Sequence, residues 1–311
     1  MLFCSIGDII GGILAEDTIA GNLGVKPYLN WGASVSIAIV VKVSEGLVLA
    51  ADSAATITGR IGEQAGVLKT YYNAKKLFQV GDFPIGVLTW GQAFIGLRTI
   101  ESLVREWEHQ HNWQSQEALM DAPAEGYAVR TCAESLHQFL VSVYAEEYKD
   151  RSKEESEKKG LGVVVAGYSK SAFFPEIWRF VLPFDDKVHN QRPDIDGKPQ
   201  FGASWFGATD AIIRLHWGRD ERAIGIISEK FSLPEDAVRE ALAPLEYAIP
   251  FAVMPLQDAI EYARYLVNVV IGRFRFVVGS ELCGGQVDIA AITQEMFSWI
   301  TLKELRLETG G

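Results

Sequence analysis

Apolar residues along this chain change their period several times, and each change predicts an element. Residues 35–42 (Val-Ser-Ile-Ala-Ile-Val-Val-Lys) form a run rich in valine and isoleucine, the pattern of a buried strand. A short polar turn, Val43-Ser44-Glu45, precedes Gly46, and residues 47–51 supply the return strand of a hairpin. Residues 58–66 are polar and glycine-bearing, which predicts a loop. Residues 76–80 and 85–90 predict a second hairpin around Gly81-Asp82-Phe83-Pro84. From Gln92 the period lengthens. Phe94, Leu97, Ile100, Leu103 and Val104 recur at three and four, predicting an amphipathic helix that reaches about His109. A second helix is expected over 128–148, with Cys132, Leu136, Phe139, Leu140 and Val143 on one face.

Residues 149–159 are almost wholly charged and read as a solvated helix end or loop. Strands resume at 161–167 and 176–182. A polar stretch at 185–199 carries Pro193 and Pro199 and reads as a surface excursion. Residues 201–206 predict a short strand. Helices are expected to open at Gly207-Ala208-Thr209 and at Pro234, and a longer one to cover 256–271. Residues 277–292 turn through Gly284-Gly285 into a last buried strand. The resulting order is strands, two helices, strands, helices, strand. Helices that come in groups argue against a doubly wound parallel sheet and for antiparallel sheets packed between helix layers.

Composition narrows the function classes. Hydrophobic residues make up 48% and charged residues 22% of the 311, the balance of a globular protein with a sizeable core. The formal net charge of -11, with no dense basic stripe, argues against nucleic acid or an anionic membrane surface as a partner. Cys4, Cys132 and Cys283 are odd in number and widely spaced, which suggests neither a disulfide framework nor a zinc cluster. The histidines show no metal-ligand spacing. No apolar run is long enough for a membrane span. The apolar N-terminus carries Asp8, Glu16 and Asp17 in place of the basic start of a secretory signal, and the chain reads as cytoplasmic.

Four segments carry the chemistry: Ser34-Val35-Ser36-Ile37-Ala38-Ile39, then Leu47-Val48-Leu49-Ala50-Ala51-Asp52-Ser53, then Asn73-Ala74-Lys75-Lys76-Leu77-Phe78, then Gly86-Val87-Leu88-Thr89-Trp90-Gly91. In this order they resemble the proteasome β-subunit family of N-terminal-nucleophile hydrolases, over roughly residues 34–295. The resemblance implies an α+β fold, a four-layer αββα sandwich of two antiparallel sheets between helix layers. It divides the chain into an N-terminal prosegment or extension, 1–33, and a hydrolase domain, 34–311. It places the nucleophile at Ser34, the acid at Asp52, the lysine at Lys76 and the oxyanion-binding glycine at Gly91. Lys75 is the near alternative for the lysine, sent to the opposite face by strand alternation. The mechanism implied is peptide-bond hydrolysis with the free α-amine as base, and it requires no metal or other cofactor.

Three departures from the family pattern accompany the match. Ala33 stands where the family favours glycine. Gly207-Ala208-Thr209 replaces a Gly-Ser-Gly turn, so the hydroxyl is missing or moved to Thr209. Counting back from Gly284-Gly285 reaches Ser280, beside Glu281, where the family carries aspartate. A catalytically inactive ring subunit and a small-molecule amidase on the same fold are therefore alternatives, and Asp52 with Lys76 could be a structural ion pair. The partners implied are further copies of the chain in a ring or open helix, a peptide or protein substrate, and an ATPase unfoldase.

Overall fold

The first apolar run folds as β1, Ile37–Val43, with every residue buried, and returns as β2, Gly46–Ala51. Val43 pairs with Gly46 and Ala38 with Ala51, so Ser44 and Glu45 alone make the turn. The computed structural model describes residues 36–61, 64–113, 127–149, 160–278 and 281–303. After β2 come β3 (Ala55–Ile61), β4 (Gln64–Tyr71), β5 (Leu77–Gln79), β6 (Ile85–Gly91), β7 (Phe94–Ile95) and β8 (Arg98–Thr99). Helices α1 (Ile100–Gln110) and α2 (Val129–Tyr148) lead into β9 (Leu161–Gly167), β10 (Glu176–Leu182), β11 (His189–Asn190) and β12 (Gly202–Gly207). Then follow α3 (Asp210–His216), α4 (Glu221–Phe231), α5 (Glu235–Leu242), α6 (Leu256–Phe276), β13 (Asp288–Ile292) and β14 (Phe297–Thr301).

Two five-stranded sheets dominate, ordered β12-β1-β2-β13-β14 and β11-β10-β9-β6-β5, and the strand pairs within them are antiparallel. Strand alternation sends successive side chains to opposite faces, and each sheet here buries both. Ala38, Val40, Leu47 and Leu49 of one sheet meet Leu77, Leu88, Val164 and Ala166 of the other. The outer face of the β1 sheet, with Ile39, Val41, Val48 and Ile289, packs against Ile212 and Ile213 of α3 and Ala263, Leu266 and Val267 of α6. On the outer face of the β9 sheet, Val87, Val163, Val165 and Phe180 pack against Leu103, Val104 and Trp107 of α1 and Leu136 and Leu140 of α2. No described helix is long and apolar enough to cross a membrane.

Several expectations change. The helix predicted from Gln92 begins only at Ile100. Residues 94–99 form the small β7–β8 hairpin, where Gly96 adopts a positive φ of 61° and Leu97 is fully exposed. Thr99 caps the helix, its side-chain oxygen accepting from Ser102 N at 3.2 Å, and a cap of this kind fixes a helix start more strongly than one apolar residue upstream. Of the loop expected at 58–66, residues 58–61 and 64–66 are instead paired strand in the β3–β4 hairpin, despite their polar composition. Helix α4 and strand β14 are additions to the expected elements. The former buries only Ile224, so its apolar signal is weak. The N-terminal extension, 1–33, and most of the charged run 149–159 lie outside the described residues.

Candidate functional site

One end of the two packed sheets gathers the ends of β1, β2 and β12 with the start of β5. The two-residue turn of the first hairpin sets the register, placing Asp52 across from Ile37. There Asp52 N donates to the Ile37 carbonyl at 3.3 Å, and Ile37 N donates to Asp52 Oδ1 at 3.1 Å. The other carboxylate oxygen accepts from Ala54 N and Gly284 N, each at 3.1 Å. Lys76 enters from the start of β5, and its Nζ lies 2.6 Å from Asp52 Oδ1 and 2.9 Å from Ser36 Oγ. All three side chains are buried, with Asp52 wholly removed from solvent. A carboxylate in such a place is tolerated because three N–H groups and an ammonium saturate it.

The backbone of Ser36 is held by the end of β12. Its carbonyl accepts from Ala208 N at 2.8 Å, at the end of β12. Gly207 has a φ of 92°, and an added Cβ would overlap the Ser36 carbonyl oxygen, so glycine is required for β12 to approach this closely. Gly91 closes β6, two residues after Thr89, whose N–H donates to the Lys76 carbonyl at 2.9 Å. Its φ is 84°, and an added Cβ would lie 2.5 Å from the Gly160 carbonyl oxygen. Between these positions Trp90 stacks on Phe206, ring centroids 4.5 Å apart.

The structure thus brings together Asp52 and Lys76, with the β6 strand that ends in Gly91 bonded to the Lys76 backbone. Ser34, like Ala33 and Ser280, lies outside the described residues. The described hydroxyl that meets Lys76 belongs to Ser36. In a strand, residues two apart share a face, so the apolar pattern alone does not separate Ser34 from Ser36. The two-residue turn pairs Ala38 with Ala51, so Ile37 stands opposite Asp52 and Ser36 directly beside it. Lys75 points elsewhere, 3.4 Å from Glu101.

The other departures also have positions. Ala208 offers its backbone to Ser36 but no hydroxyl. Thr209 is wholly buried, and its Oγ1 has no hydrogen-bond partner among the described residues. Glu281 accepts from the Tyr72 hydroxyl at 3.3 Å, away from the Ser36 hydroxyl. Cys283 is buried beside the site. Burial, followed by the Asp52 carboxylate, pushes its thiol well above the ordinary value, which keeps it neutral and a poor nucleophile. No group of histidine, cysteine and acidic side chains suited to holding a metal occurs among the described residues.

No family model matches the sequence, and no curated protein matches it. Among solved structures, the chain is similar to an Anbu (Gly-1) mutant from Hyphomicrobium sp. strain MC1, with 13% identity and a TM-score of 0.50. The likeness covers 86% of this chain and 85% of that one. Identity this low shows a shared fold.

Proposed function

We propose that this chain is a proteasome β-subunit-like N-terminal-nucleophile hydrolase that cleaves peptide bonds, with Ser36 in the role that the family resemblance implied for Ser34. The observation that carries the reading is Lys76 Nζ bridging Ser36 Oγ and Asp52 in a buried pocket of charge. The three apolar clusters, with helices outside both sheets, support the four-layer αββα arrangement that goes with it.

The chemistry follows from hydrogen-bond roles. An ammonium can only donate, so the Ser36 oxygen accepts from Lys76 and keeps its own proton to give away. The base for that proton is the α-amine of Ser36 itself, once the preceding chain is removed. A free α-amine has a pKa of about 7.7–8.0, whereas an amide nitrogen has no usable lone pair. Positive charge on Lys76 stabilises the developing alkoxide, Asp52 holds that charge in place, and the N–H of Gly91 receives the oxyanion. Water then releases the acyl group. In this reading the chain works in the cytoplasm, copies assemble into a ring or open helix, and an ATPase unfoldase delivers substrate. A clean monomer by light scattering at micromolar concentration would count against the assembly.

One observation favours a second reading, an inactive ring subunit. Ala208 leaves the turn against Ser36 without a side-chain hydroxyl, and the saturated Asp52–Lys76 pair would serve as a structural clasp. The two readings separate on serine substitutions assayed with fluorogenic peptides and simple amides. Ser36→Ala abolishes hydrolysis and Ser34→Ala retains it if Ser36 is the nucleophile. Loss with Ser34→Ala alone returns the role to Ser34, and no hydrolysis in the native protein supports the inactive subunit. Turnover of simple amides but not peptides would identify an amidase.

A further inference from the structure

Directly behind the Ser36–Lys76–Asp52 group lies a second trio of the same composition. Ser53 follows Asp52 in the chain and is wholly buried. Its Oγ accepts from Lys303 Nζ at 3.0 Å and donates to the Gln286 carbonyl. Lys303 forms an ion pair with Asp288, which is 1% exposed, and the Lys303 backbone N–H donates to Asp288 Oδ1 at 3.0 Å. Because Lys303 can only donate, the Ser53 proton is committed to Gln286. This serine is a strut and not a nucleophile.

The strut leads to the candidate site. Ser53 N donates to the Gly284 carbonyl at 2.9 Å, and Gly284 N donates to Asp52 Oδ2 at 3.1 Å. The segment 284–286 is therefore tied at one end to Asp52 and at the other to Ser53 and, through it, to Lys303. We infer that Lys303 is a positioning residue: through Asp288 and Ser53 it holds the 284–286 turn so that the Gly284 N–H fixes the Asp52 carboxylate against Lys76. Its kinetic consequence rests on the hydrolase reading, whereas its structural consequence does not.

The test therefore has two readouts on the full chain. The first is hydrogen exchange at the Gly284 and Ile37 amides, which both end on Asp52, compared with the Val165 amide in the other sheet. Ser53→Ala and Lys303→Met are expected to speed exchange at Gly284 by about tenfold or more, the scale of one lost charge-assisted bond, while Val165 stays protected. Lys303→Met leaves Asp288 buried without its counter-charge, so the pair Lys303→Met with Asp288→Asn serves if the single variant does not fold. Lys303→Arg restores protection. The second readout is hydrolysis, where kcat falls by a similar factor with KM unchanged. Unaltered Gly284 protection in the folded variants overturns the inference. Lost protection in a chain that shows no hydrolysis upholds the clamp and removes the hydrolase reading instead.

Discussion

Ser36 and Ser53 are both buried hydroxyls that accept from a lysine paired with an aspartate, yet their protons have different fates. The Ser53 proton ends on the Gln286 carbonyl, whereas the Ser36 hydroxyl donates to no described residue. Reactivity at this scale is a matter of which proton is left free. Lys76 is the residue whose removal tests the arrangement. Lys76→Ala is expected to lower hydrolysis by at least about a hundredfold. The same substitution is expected to lower stability, because the buried Asp52 carboxylate stripped of its counter-charge costs about 3 kcal/mol or more. Lys76→Met combined with Asp52→Asn should recover most of that stability and none of the activity. Thermal melting beside an activity assay separates the two effects, and full activity in Lys76→Ala would remove the lysine from the chemistry. The family resemblance named Asp52 and Lys76, and these two side chains do meet. Ser34 and Ser36 are not separable by strand pattern, because residues two apart carry the same hydroxyl on the same face.

At the scale of elements, what was legible is what buries a continuous face. Strands β1, β2, β9 and β10 and helices α2 and α6 stand close to where periodicity puts them, since each loses its apolar residues into one of the three clusters. Elements that bury little gave little signal. Helix α4 contributes Ile224 alone, and the β3–β4 hairpin leaves Leu68 and Tyr71 exposed outside both large sheets. Contact between α3 and α6 carries a pH dependence of its own. His216 at the end of α3 is buried against Trp205, and its Nδ1 lies 3.1 Å from the Tyr262 hydroxyl of α6. Burial lowers the His216 pKa from its ordinary 6.5, and Glu246 Oε1 at 3.8 Å is too distant to bond the ring and offset this. Burial also raises the Tyr262 hydroxyl far above its usual range, so it stays protonated beside the ring. With the folded value depressed, the unfolded chain takes up the proton first, and stability rises with pH across that window. Melting temperature should therefore fall as pH drops from neutral to about 5, with a shallower fall in His216→Gln. Parallel curves for the two proteins would show that His216 does not set the slope.

For the whole molecule, both sheets cooperate to build one end. The β1 sheet supplies Ser36 and Asp52, the β9 sheet supplies Lys76 and the strand ending in Gly91, and the segment after α6 locks Asp52 through Gly284. Ile100 of α1 and Phe139 of α2 are core residues, so neither is available to an association surface. In the hydrolase reading this end still needs a base for the Ser36 proton, and the chain's own amine would provide it. Ser36 N becomes a proton acceptor when the bond between Val35 and Ser36 is cut. For the Ser36 hydroxyl to make that cut, it must reach the Val35 carbonyl carbon, and a β-branched side chain crowds that carbon more than glycine would. Self-cleavage is thus expected to be slow in the native sequence and faster in Val35→Gly. Intact mass of the purified protein over time checks both statements. A chain that comes to begin at Ser36, sooner in Val35→Gly and never in Ser36→Ala, supports the hydrolase. A chain that keeps Met1 in all three proteins, with the assembly intact, hands the fold to the structural subunit.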